Sequence, residues 1–177
     1  YLADLQYEAM KEIGPIVFSD ADMKFAAEVN AGYPKENALK VFDDYDVPSE
    51  HQDKVDAEKR LPLVSENFPA MDKKVVGTGS TDVGDVSRIT PLSMLRTTCF
   101  SSGASGHSWG ITAASGTTIG HKGMMHAAKI MACTAAKLIE EPKHFVKIRD
   151  EFDEAARDNP YRNPIPEHVL PPVGNSS

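Results

Sequence analysis

Apolar residues at Leu2, Leu5, Ala9, Met10 and Ile13 recur three to four apart and predict an amphipathic helix, which Gly14-Pro15 ends. It opens with no capping residue and with its apolar stripe already under way, the pattern of a chain that is truncated or continues from something upstream. A second helix starts at Ser19, a good N-cap, with Asp20 and Asp22 in the first turn, where the helix dipole favours carboxylates. Its stripe is Phe25, Ala26 and Val29, and it ends near Gly32. Together, 1–32 reads as helical. From 33 to 72 the pattern breaks at Pro34, Pro48, Pro62 and Pro69, and charges alternate from Asp43 to Arg60. That stretch is expected to run over the surface with at most a short helix.

From 73 to 119 the pattern is strand and loop. A short run at Lys74, Val75 and Val76 leads into a Gly-rich loop. SMLRTTCF at 93–100 is the best strand, with Leu92, Met94, Thr98 and Phe100 near period two. From 120 to 158 the chain reads as helical. Thr117 or Thr118 can cap a helix so apolar around its circumference that packing against a sheet is expected. Pro142 stops it. A more charged outer helix follows from about Lys143 to Arg157, with Phe145, Ile148, Phe152 and Ala155 or Ala156 as its stripe. The tail, 159–177, is Pro-rich and reads as extended.

Composition narrows the partners. The 177 residues, 41% hydrophobic and 25% charged, suffice for one domain with a core. A net charge of −7 argues against nucleic acid and anionic membrane surfaces as partners. No apolar stretch approaches a membrane span, and the first residues do not resemble a signal peptide. Cys99 and Cys133, both among apolar neighbours, read as free thiols in a reducing cytoplasm.

Candidate chemistry concentrates in two loops. The first is a Gly-rich loop holding Ser80, Thr81, Asp82 and Asp85; it lacks the Lys-Ser/Thr ending of a phosphate-binding loop and the glycine spacing of a dinucleotide site. The second, GHSWG at 106–110, presents His107, whose imidazole can serve as a metal ligand or proton carrier. His121 and His126 are five apart, about 140° around a helix, so they do not form a metal pair, and His126 reads as a packing residue. Lys122 could lend a cation to the same pocket, although a solvated lysine is the default.

In order, GSTDVGDVS at 79–87, Pro91, GHSW at 106–109, TTIGHKGMMHAAKIMA at 117–132 and PYRNPIPEHVLPP at 160–172 resemble the C-terminal part of the aminobenzoyl-glutamate utilisation protein B group. That group lies in the glutamate-carboxypeptidase and aminoacylase-like superfamily of two-metal amidohydrolases. The resemblance implies an α/β fold: part of a three-layer α/β/α catalytic domain with a central mixed sheet, the lid domain absent. Residues 1–177 would be the C-terminal portion of that domain, with 1–32 the return from the lid. It also implies hydrolysis of an amide bond to an amino acid, the substrate being a small N-acyl amino acid or dipeptide-like molecule. Two divalent ions, zinc or manganese, would be the cofactors in the full-length protein, a homodimer or one paired with a related subunit. On the same basis His107 matches a metal ligand, while Ser80, Thr81 and Asp82 match a loop lining the substrate pocket. Asp85 is nearby, as a ligand orienter or a loop cap.

The chain departs from that family where activity is decided. The family's His-x-Asp-like motif and its Glu-Glu pair, which includes the general base, have no counterpart; Glu140-Glu141 sits at a helix end. The 177 residues are therefore expected to be inactive alone. Two alternatives stay open: a non-catalytic binding or scaffold module that keeps the fold without the metals, and an unrelated nucleotide-binding protein using the Gly77–Gly84 loop.

Overall fold

The computed structural model describes residues 1–39, 42–43, 45–71, 81–158, 160–166 and 168–169, the side chains of residues 38, 39 and 158 excepted. Helix α1 spans Leu2–Ile13 and buries Leu5, Ala9 and Met10 from the stripe read in the sequence. Gly14, at φ 78°, turns the chain out of the helix in the left-handed region that glycine tolerates. Helix α2 is Asp20–Asn30, started by a complete capping box: Ser19 accepts from the Asp22 N–H, and the Asp22 carboxylate accepts from the Ser19 N–H. Then come α3 (Lys35–Leu39), a 3₁₀ turn (Ser49–His51) running into α4 (Gln52–Glu58), α5 (Val83–Ile89), α6 (Trp109–Ser115), α7 (Thr118–Glu140) and α8 (Lys143–Asp158).

Both core clusters are built on α7. Midway along it, Ile130 packs against Ala9 and Met10 of α1, with Leu95 and Cys133 at the edge. Near its start, Ile119 packs with Ala26 of α2 and Leu63, flanked by Phe18, Met23 and Phe25. Thr117 caps the helix by accepting from the Ile119 N–H at 3.2 Å. Among the described residues, segment 33–72 supplies three buried apolar side chains, Phe42, Val55 and Leu63, and the buried Glu58.

Buried polar contacts join the elements. Asp22, 3% exposed, accepts from Ser19, from the Thr118 hydroxyl and from Lys122 at 2.7 Å, fixing the start of α2 to the start of α7. Burial alone pushes its carboxyl up, but the hydrogen bonds from Lys122, Thr118 and Ser19 outweigh that and hold it far below the usual carboxylate range. Asn67 donates to the carbonyls of Met10 and Gly14 at 2.8 Å each, and its oxygen faces His126 at 3.1 Å. The Tyr1 hydroxyl lies 2.6 Å from His144 Nδ1, linking α1 to α8.

The expected α/β fold with a central sheet is not what forms. Among the described residues the chain is helical, with an isolated bridge at Tyr45 and no strand. The strand expected at 93–100 shows the physical reason. Its alternation is real, for Leu92, Met94 and Arg96 are exposed while Ser93, Leu95 and Thr97 turn inward. Those inward side chains bind helices instead of a neighbouring strand. Ser93 donates to Gln6 at 2.8 Å, Leu95 joins the α1–α7 cluster, and Thr97 donates to the Gly123 carbonyl at 3.0 Å. The contact is so close that a Cβ on Gly123 would collide with the Thr98 carbonyl and, at 2.5 Å, with the Cys99 sulfur. The run at Lys74–Val76 lies outside the described residues.

Helix α7 accordingly packs on α1, α2 and this extended segment, not on a sheet, and leaves Met124, Met125, Met131 and Ile139 exposed. Among the described side chains of α8 only His144 and Ile148 are buried, and Phe145 of its expected stripe is 53% exposed. Cys99 and Cys133 are free thiols, each partly buried. Among the described residues no helix is long and apolar enough to cross a membrane.

Candidate functional site

The loop carrying His107 is held from below by the end of α2 and the residues just after it. Asn30 accepts from the Gly103 N–H at 2.8 Å, and Asn37 reaches the Gly103 carbonyl at 3.4 Å and the Ser105 hydroxyl at 3.2 Å. Ser102 adds two ties to the chain at 61–62, from its N–H to the Pro62 carbonyl at 2.9 Å and from its hydroxyl to the Leu61 carbonyl at 3.2 Å. One end of the loop is thus pinned before His107 is reached.

The other end is pinned by Tyr33. Its ring stacks on Trp109, centroids 5.3 Å apart and planes 14° from parallel. Its oxygen accepts from the Gly110 N–H at 2.9 Å and lies 2.6 Å from the Ser108 hydroxyl. Ser108 gives its one hydroxyl hydrogen to the Ser105 carbonyl, 2.6 Å away, so the Tyr33 hydroxyl must be the donor to Ser108. The result is a one-way chain from the Gly110 N–H through Tyr33 and Ser108 to the Ser105 carbonyl. No space is left over: a Cβ on Gly110 would meet the Tyr33 oxygen at 2.7 Å, and one on Gly32 would meet Trp109 at 2.7 Å.

His107 sits inside that closure, exposed, with φ 56°. Among the described residues it is the one non-glycine in the left-handed region, a conformation that costs free energy and persists where its surroundings enforce it. The imidazole is presented outward on a short, braced turn.

The other site residues read from the sequence lie elsewhere. Ser80 is outside the described residues. Thr81, Asp82 and Asp85 are exposed around the start of α5, where the Thr81 oxygen accepts from the Val83 N–H at 3.4 Å and Asp82 stands at the N-cap position without a side-chain capping bond. Asp85 accepts from the Tyr161 phenol; burial and then that carboxylate push the phenol's pKa up. No hydrogen bond, ion pair or ring contact between described residues joins His107 to Thr81, Asp82 or Asp85. A cavity of about 540 Å³, lined by Gln6, Tyr7, Asn67, Met94, Thr98 and His126 among others, includes none of these four.

The described residues do not amount to a two-metal centre. No group of three or more His, Cys, Asp or Glu side chains among them could hold an ion. Within this set His107 stands as a lone imidazole, short of the convergent ligands such a centre needs. His121 is exposed, and Lys122 is engaged with Asp22 rather than with His107. Tyr33, Asn30 and Asn37, which shape the loop, had no sequence signal, because their partners lie 66–77 residues away.

No family model matches the chain, and no solved structure matches it at a significant level. The chain is similar to one of the subunits of the p-aminobenzoyl-glutamate hydrolase of Escherichia coli (strain K12), 28% identical over 172 residues that make up 96% of this chain. The match falls in the C-terminal part of that protein, of whose length the chain spans 36%. The resemblance read from the loops at 79–87 and 106–109 is borne out by that similarity.

Proposed function

We propose that this chain is the C-terminal share of a hydrolase subunit that cleaves an amide bond to an amino acid, with a p-aminobenzoyl-glutamate-like substrate. The observation that carries the reading is the similarity along 96% of the chain to a protein named as a subunit of such a hydrolase. The braced, strained presentation of His107 supports it, since an imidazole held outward is a usable ligand or proton carrier. In this reading the chain supplies His107 and the Thr81–Asp85 loop. Any divalent ions would be held mainly by residues outside the described set, with His107 one ligand among them, and the working protein would pair with a further subunit.

The test uses the protein that carries this chain, followed by release of p-aminobenzoate from p-aminobenzoyl-glutamate. His107→Ala is expected to lower kcat/KM by at least about a hundredfold, the scale on which mispositioned or missing site groups act. Metal analysis of the same variant is expected to show reduced zinc or manganese. Unchanged turnover and metal content in His107→Ala would falsify the assignment. A native protein with neither metal nor hydrolysis would favour a binding module, consistent with the lack of a ligand cluster among the described residues.

A further inference from the structure

We propose that Tyr33 is a positioning residue for His107: its hydroxyl, as the middle link of the chain from Gly110 to Ser105, holds the His107 backbone in its left-handed conformation. The inference deepens the reading above and rests on it for its functional consequence, though its structural content stands apart.

The geometry leaves the hydroxyl little freedom. It accepts from the Gly110 N–H at 2.9 Å and donates to Ser108, whose own hydrogen goes to the Ser105 carbonyl. Residues 105 and 108 flank His107, so this chain closes a ring around it. Chains of hydrogen bonds running in one direction strengthen one another. The turn needs that strength, because a non-glycine residue at φ 56° relaxes to the ordinary region once its surroundings let go. The ring of Tyr33 has a separate task. Stacked on Trp109 above the close approach at Gly32, it keeps the start of α6 against the end of α2. Hydroxyl and ring can therefore be removed separately. Trp109 is the one tryptophan in the sequence, so its emission reports on the surroundings of that ring, of which the Tyr33 stack is a part.

The experiment compares Tyr33→Phe, Tyr33→Leu and Ser108→Ala in the 177-residue chain by ¹⁵N relaxation and Trp109 fluorescence. In Tyr33→Phe the ring remains, so Trp109 emission is expected to hold. The His107 amide order parameter is expected to fall from the rigid range near about 0.85 to below about 0.6. Ser108→Ala, which opens the same ring one link later, should reproduce the loosening, and Tyr33→Leu should add a change in Trp109 emission. Amides of α2 and α7 should keep their positions in all three. A rigid His107 in Tyr33→Phe, or loosening spread evenly over the whole chain, overturns the proposal.

In the protein that carries this chain, Tyr33→Phe is expected to lower kcat roughly ten- to hundredfold at nearly constant KM. Full turnover in Tyr33→Phe alongside loss in His107→Ala would refute the positioning role. Full turnover in His107→Ala would instead remove the functional reading, leaving the order-parameter result to decide what Tyr33 does.

Discussion

Asn67 uses both amide hydrogens on the carbonyls that close α1, so its oxygen can only accept, and His126 Nε2 must carry the hydrogen between them. The ring lies in a site 7% exposed, where burial and then nearby Lys129 pull its pKa below the ordinary value and favour the neutral form. In the unfolded chain His126 takes up a proton below about pH 6.5, while the folded chain still resists it. Folding stability is therefore fully present above about 6.5 and declines as pH falls through the gap between the two values. His126→Gln keeps an N–H for Asn67 but cannot titrate, so its thermal midpoint should lose less than the parent's between about pH 7 and 5. Parallel midpoint curves would show that His126 takes no part. At this scale the sequence was half legible. Helical spacing separated His126 from His121 and gave it a packing role, but Asn67, 59 residues earlier, was invisible.

Between elements, the Asp22 junction shows what local pattern can and cannot reveal. Ser19 and the acidic first turn of α2 follow from capping chemistry within four residues, and the structure has them as read. Asp22 also ties α2 to Thr118 and Lys122, about a hundred residues on, and no local rule reaches so far. Asp22→Ala should destabilise the chain by about 2–4 kcal/mol, summing a lost cap with stranded donors on Ser19 and Thr118. Lys122 adds little, since its side chain is 34% exposed and finds water. Because the folded carboxyl sits below its unfolded value, the contribution is present above about pH 4 and fades as pH falls further. Urea midpoints at neutral and low pH would show the gap narrowing, and a gap independent of pH would count against the charged carboxylate. The extended stretch 91–100 is the converse case. Period two is present, but the apolar positions it marked, Leu92, Met94 and Phe100, are exposed while Ser93, Leu95 and Thr97 face inward, and alternation is silent on whether the surface a segment meets is a strand or a pair of helices.

For the whole molecule, the surface carries the argument. Helices α7 and α8 turn Met124, Met125, Met131, Ile139, Phe145 and Val146 outward. The expected layered fold was not obtained: the apolar face of α7 reads from sequence as a sheet-packing face, yet among the described residues it meets α1, α2, Leu63, α6 and the extended segment. Unfolding enthalpy and heat capacity both follow buried surface. A fully packed chain of 177 residues would absorb about 120 kcal/mol on melting near 60 °C. Scanning calorimetry of this chain should give clearly less, with a broad transition and a small heat-capacity step. An enthalpy near the full value with a sharp transition would mean that the apolar faces of α7 and α8 are covered in solution. A low value would mean that those faces are uncovered in the isolated chain, in keeping with the proposed place in a larger hydrolase.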